Sequence, residues 1–298
     1  MTGHARRLGL ILVAALGVGL SGCGLLPSAN NDPTRLHRQA QDDLARWADA
    51  VAAGGQSSFV PVGELIAMVG DWGSADGNNN KLAMMSGMFE AAVPLPTDTP
   101  ADGLVRWKDG TTATVRLISA QEALAGLKAA GSGSCKECVP LRITAARLTT
   151  GSVQTSRGPA DAPLWEFTIQ GTPALITWVA VAAPITAAAP TWNPDDQPIG
   201  IQIESATGSA AGRQLTVGLV GAGGSSDQPC GADYTAEAVE SPLAIVVLVT
   251  EHPHISLGEA CTMEGHYRTA EVQLAAPLGN RAVLEVRTGQ PVPVTLTP

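Results

Sequence analysis

The first apolar positions after residue 32 fall at Leu36, Ala40, Leu44, Trp47 and Val51, a three-to-four-residue spacing that gathers them on one helical face. The opposite face is charged. Asp32 is a good N-cap, Pro33 suits the first helical position, where no N–H is needed, and Gly54-Gly55 ends the run. This predicts a helix that docks on the body of the protein. "KLAMMSGMFEAAV" carries Leu82, Met85, Met88 and Phe89 in helical register, after a loop "SADGNNNK". "SAQEALAGLKAAG" predicts a third helix, with Ser119 and Glu122 as a capping box and Gly131 as its stop. Elsewhere the period is two. "FVPVGELIAMVGDWG" reads as a strand ending in a turn, and "LVRWKDGTTATVRLIS" as a hairpin around Asp109-Gly110. "PLRITAARLTT", "SVQTSR", "PLWEFTIQG" and "ALITWVAVAA" alternate as strands do.

"APITAAAPTWNPDDQP" interrupts this pattern with four prolines among small residues. Beyond it no segment has helical spacing. "IGIQIESA", "QLTVGLVG", "YTAEAVES", "LAIVVLVTE", "RTAEVQLA" and "AVLEVRTG" are short runs separated by turn residues, the signature of a β-sandwich. The fold expected is therefore α+β: a mixed module of helices and antiparallel strands over 33–183, a Pro-rich linker over 184–197, and an all-β sandwich-like domain over 198–298. No internal repeat is evident.

The chain's start is a different kind of pattern. Arg6 and Arg7 precede an uncharged apolar run over 8–20, shorter than the roughly 20 residues that span a bilayer. A basic start, a short apolar core and a small-residue exit mark an export signal. The exit "LSGC" resembles the lipobox of bacterial lipoprotein signal peptides. That resemblance implies removal of residues 1–22 and acylation of Cys23, which becomes the first residue of the mature chain. Residues 23–32 then form the anchor and a short tether. More than one acyl chain is what holds a protein stably on a membrane.

The charge narrows the partners. Loss of Arg6 and Arg7 with the leader takes the net charge from −9 to −11. An acidic domain repels phosphate polymers, so nucleic acid is not an expected partner. With Cys23 assigned to lipid, four cysteines remain. An even number in an oxidising compartment argues for two disulfides, and of the three pairings the local one, Cys135–Cys138 with Cys230–Cys261, is expected.

Motifs with chemical meaning are few, and each has a plainer reading. "CKEC" is a C-x-x-C without the strand-to-helix context that lowers a redox thiol's pKa, so a loop staple is expected. "GLVGAGGSS" has Ser226 where a dinucleotide fingerprint needs its third glycine, and no helix follows. "DGNNNK" spaces Asp76, Asn78 and Asn80 as a calcium loop does, but Lys81 replaces the required glycine and Gly87 the bidentate glutamate. His252, His254 and His266, with Glu251 and Glu259, meet no metal-ligand spacing and read as solvated loop residues. The pairs Asp42-Asp43 and Asp195-Asp196 read as solvated on a polar helix face and a linker. Neither G-x-S-x-G nor S-x-x-K occurs. No cofactor, metal or catalytic residue is expected.

One stretch invites a binding role. Glu64, Asp71, Trp72, Asn79 and Lys81 crowd a polar turn around an aromatic, a combination suited to carbohydrate or peptide contact. The competing reading is a tryptophan folded under its own loop.

The segments "VGELIAMVGDW…NNNKLAMMSG", "VRWKDGT", "CKECVPLRITAARLTT" and "YTAEAVES…C…RTAEVQLAAPLGNRAVLEVRTGQPVPV" resemble a group of uncharacterised actinobacterial lipoproteins and secreted proteins. The resemblance spans nearly the whole mature chain. It implies architecture and address and carries no activity. The expected protein is a membrane-tethered extracytoplasmic lipoprotein that binds an envelope protein or glycan. The alternatives are a secreted hydrolase with a dispersed site and, more weakly, a transporter's solute-binding lipoprotein, which would need alternating βα units.

Overall fold

The structure is a computed structural model that describes residues 32–54, 59–73, 77–187, 190, 193–254, 260–262 and 264–297. The leader, Cys23, most of the tether, Asp76 and Glu259 lie outside the described residues.

The N-terminal module is one mixed seven-stranded sheet with two helices. Its strands are β1 (Ile66–Val69), β2 (Phe89–Ala91), β3 (Gly103–Trp107), β4 (Thr112–Val115), β5 (Leu141–Thr155), β6 (Gly158–Ile169) and β7 (Leu175–Val179). The two runs "PLRITAARLTT" and "SVQTSR" form the single strand β5, which pairs with β6 along almost its full length. The hairpin β3–β4 forms around Gly110 as expected.

Along its other edge β6 is shared. Arg106 and Trp107 of β3 pair with its first half and β7 with its second. Leu117, just past β4, bridges to Val181, just past β7, so β6, β3, β4 and β7 close into a ring. Val105, Trp107, Val115, Ala160, Ala162, Leu164 and Val179 fill the ring. On β6 the alternate residues Trp165, Phe167 and Ile169 face the other way, into a core with Ile176 and Trp178.

Helix α3 (Ala120–Ala129) covers that second core with Ala120, Ala123, Leu124 and Leu127. Its capping box is present: the Ser119 hydroxyl accepts from the Glu122 N–H at 3.2 Å, and the Glu122 carboxylate accepts from the Ser119 N–H at 2.7 Å. Gly126 faces the Trp178 ring, where a Cβ would lie 2.5 Å from the nearest ring carbon. Gly126→Ala therefore loses despite a gain of about 1 kcal/mol in helix propensity. Overpacking costs about 1–3 kcal/mol, so a lower urea midpoint with an unchanged slope is expected.

Helix α2 (Gly77–Met85) differs from expectation: it begins ahead of the asparagine run, which it takes in, and stops before Met88. Gly87 adopts φ +65° against α3, where a Cβ would meet the Lys128 carbonyl at 2.4 Å. The turn sends Phe89 into a strand parallel to β5, although Met88 and Phe89 continue the helical spacing.

The C-terminal region is the expected sandwich. Strands β8 (Ile203–Ser209), β9 (Gln214–Gly221), β12 (His266–Gln273) and β14 (Val294–Thr297) form one sheet. Strands β10 (Ala232–Glu240), β11 (Ala244–Pro253) and β13 (Ala282–Glu285) form the other. Ile245, Val247 and Val249 of β11 face Leu215, Val217 and Leu219 across the sandwich. The alternate residues Ala244, Val246 and Leu248 face outward and are buried as well. That is why "AIVVLV" is a continuous apolar run: both faces of this strand are covered.

The cover is α1 (Pro33–Gly54), through Leu36, Ala40, Leu44 and Trp47. The first helix in sequence thus forms a third layer on the last domain. Gln39 fixes it there, its amide donating to the Ile199 and Val286 carbonyls while its oxygen accepts from the Ile199 N–H at 3.1 Å.

Both expected disulfides are present, Cys135–Cys138 in the loop before β5 and Cys230–Cys261 across the β10–β12 end of the sandwich. Such bonds belong to oxidising, extracytoplasmic compartments. Among the described residues no helix is long and apolar enough to cross a membrane.

Candidate functional site

The residues around Trp72 are brought less close than their sequence crowding suggests. Glu64 and Lys81 are exposed, and Asp71 accepts from the Gly73 N–H at 3.3 Å. Trp72 is half-buried against the core under α3, and its carbonyl accepts from the Thr172 hydroxyl at 3.0 Å. Asn79 is spent on structure. Its amide oxygen accepts from the Val139 N–H at 2.8 Å and its nitrogen donates to the Val139 carbonyl at 3.2 Å, clasping α2 to the disulfide loop. Among the described residues no hydrogen bond or ion pair joins any two of Glu64, Asp71, Trp72, Asn79 and Lys81.

The histidines have separate local contacts. His252 contacts the Thr235 hydroxyl at 2.8 Å, His254 the Ser226 carbonyl at 2.8 Å, and His266 lies 3.9 Å from Glu264. Among the described residues no group of three or more His, Cys, Asp or Glu is placed to hold a metal ion.

Of the two acid pairs, Asp42, Asp195 and Asp196 are exposed as expected, whereas Asp43 is 1% exposed. Its position between Ala40 and Leu44 turns it toward the sandwich, so the solvated reading fails for this residue.

A more organised surface lies on the outer face of the four-strand ring. Along β6 the residues Asp161 and Pro163 share a face with Trp165, but α3 covers only the Trp165 end. Trp165 is tied there by its indole N–H, which donates to the Ile118 carbonyl at 2.8 Å. Beyond it the face is open. Register sets Arg106 of β3 and Ser152 of β5 on either side of Asp161, with Thr112 next to Arg106. All four are exposed.

Two cavities of about 300 and 410 Å³ run along this face, and both are lined by Arg106 and Asp161. Ser152 and Lys108 border the first, Leu148 and Thr150 the second. The side chains of Arg106 and Asp161 make no hydrogen bond or ion pair among the described residues, although register places them directly opposite. Two opposite charges, flanked by hydroxyls and left open to solvent, are disposed to engage a ligand carrying both donors and acceptors.

One end of the groove is rigid. The Arg157 guanidinium stacks over the Trp107 ring at 4.4 Å and donates to Thr111 at 2.8 Å and to Asp109 at 3.2 Å. The Trp107 indole donates to the Thr155 hydroxyl at 3.0 Å beneath it. The Thr111 hydroxyl and backbone N–H, helped by Arg157, hold the Asp109 carboxyl below its ordinary range. These contacts lock the β3–β4 turn to the β5–β6 turn.

Neither Arg106 nor Asp161 stands out in the sequence. Each is one polar position in an alternating strand, and only the β3–β6 register makes them neighbours. No family model, no curated protein and no solved structure matches the chain.

Proposed function

We propose that this chain is a lipid-anchored protein of the extracytoplasmic face of a bacterial membrane, acting by binding and not by catalysis. The observation that carries the binding role is the open Arg106–Asp161 face, two contiguous grooves with free opposite charges on a rigid sheet. Sites built on strands hold their geometry better than sites on loops. The ligand we favour is an extended segment of an envelope protein, whose backbone amides and charged side chains suit a long, shallow, mixed-polarity groove. The leader that ends just before Cys23 and the two disulfides support the address.

A photo-crosslinking residue at Ser152, compared with one at Glu271 on the sandwich, tests this in intact cells. A discrete adduct is expected from Ser152 alone. Arg106→Gln or Asp161→Asn should lower its yield about tenfold, the effect of losing one charge-assisted contact. An adduct that forms equally from Glu271, or that survives both substitutions in folded protein, contradicts the assignment.

A further inference from the structure

A second place concentrates charge of one sign in an acidic chain. Arg35, Arg38 and Arg46 recur along one face of α1 and meet Arg287, from the turn after β13, around a cavity of about 120 Å³. Four of the chain's fourteen arginines line this one small space. Its acidic lining is Asp42 and Asp196.

The partners are unevenly distributed. Arg35 is neutralised, donating to Asp196 at 2.8 Å and also to the Gln197 carbonyl. Arg46 gives one terminal nitrogen to Asp43 behind the wall, while its Nε is buried with no partner. Arg38 and Arg287 are exposed, and their guanidinium groups have no hydrogen bond or ion pair among the described residues. The site therefore holds unused guanidinium donors at a point where mutual repulsion would otherwise favour spreading them apart.

We propose that this arginine pocket is an oxyanion site for a phosphate group. The chemistry follows from the donors: guanidinium forks match tetrahedral and planar oxyanions in bidentate geometry, and Arg is the residue best suited to this match. Size limits the ligand. A cavity of about 120 Å³ is well below the roughly 300–1,000 Å³ of sites for drug-sized molecules, so the pocket takes one anionic group and leaves the rest of any larger molecule outside.

Two sources offer that chemistry, a free phosphate and an anionic phospholipid headgroup. Arg35 lies twelve residues after Cys23. A chain of that length reaches at most about 40 Å. If Cys23 is acylated, the pocket therefore works within a tether's length of the headgroups. The site itself does not depend on that anchor.

The test uses the full chain and the Arg38→Gln/Arg287→Gln double variant, whose folding is checked by thermal unfolding in chloride. One arm titrates inorganic phosphate calorimetrically against chloride of matched ionic strength. The other compares retention on phosphatidylcholine vesicles with and without phosphatidylglycerol, so that only the increment due to anionic lipid is read.

Saturable phosphate binding that weakens about tenfold or more in the double variant establishes a site for the free anion. An anionic-lipid increment that disappears in the double variant, without phosphate heat, establishes the headgroup as ligand. Arg213→Gln, which removes an exposed guanidinium outside both the pocket and the groove, should leave both readings unchanged. Equal behaviour of wild type and folded double variant in both arms, or no binding by wild type in either, overturns the proposal.

Discussion

Asp43→Asn is expected to stabilise the protein at pH 8, by about 4 kcal/mol at most, and to flatten its stability between pH 4 and 7. The side chain is 1% exposed, wedged between α1 and the turn after β13. One carboxyl oxygen accepts from Arg46, and the other is buried without a partner. Gly289 closes over it so tightly that a Cβ there would lie 2.8 Å from Asp43 Oδ1. Burial pushes the carboxyl up to about 7, with Arg46 pulling against the shift and the nearby Glu285 reinforcing it. Glu285 is buried too, but its oxygens accept from the N–H groups of Arg287 and Thr288 at 2.9 and 2.7 Å and from the Thr288 hydroxyl.

The sign follows from linkage. The unfolded chain releases this proton near pH 3.8, whereas the folded protein keeps it until about 7. The contribution of Asp43 to stability is therefore fullest below about pH 4, drains away as pH rises to about 7, and stays lower above. Asparagine reproduces the neutral form at every pH. Urea midpoints at pH 4, 6 and 8 would show the two proteins diverging as pH rises. A variant that is no more stable than wild type at pH 8 would mean that the carboxylate is accommodated as the ion.

Asp43 also marks where sequence reasoning reached its limit. Helix α1 was legible because its cap, its Pro33 and its apolar spacing are all local signals. Periodicity says that one face docks, but not which partner it meets. Here the partner is the outer face of β11, some 200 residues downstream in the chain. Without that partner, Asp43 looked like another charge on the polar side. Helix α3 was legible in full, since Ser119, Glu122 and the spacing of its buried residues agree. Helix α2 was not, because Gly87 turns the chain through a contact with α3 that no local pattern announces.

The β-rich C-terminal region could be read run by run, but β14 was missed, since "VTLT" is too short to show a period and is held by parallel pairing with β8. The groove was the least visible feature. Arg106 and Asp161 lie 55 positions apart in the chain. Their proximity is a property of register, as the sharing of β6 between β3 and β7 is.

Trp47→Ala should cost about 3–5 kcal/mol, the usual penalty for emptying a large aromatic site in a packed core. Trp47 is 2% exposed and packs among Leu36, Leu44, Val246, Leu248, Leu284 and Val286, where α1 meets the three-stranded sheet. The location of the damage is as informative as its size. If α1 is the third layer of the sandwich, hydrogen exchange should quicken in α1, β10 and β11 while the long β5–β6 hairpin keeps its protection. Uniform loss of protection would mean that the two modules unfold as one unit. Because Gln39 and three of the four pocket arginines ride on the same helix, the loosened variant should also weaken phosphate binding while leaving crosslinking at Ser152 intact. Such a split would show that the helix next to the tether serves the sandwich and the arginine pocket, independently of the groove on the N-terminal sheet.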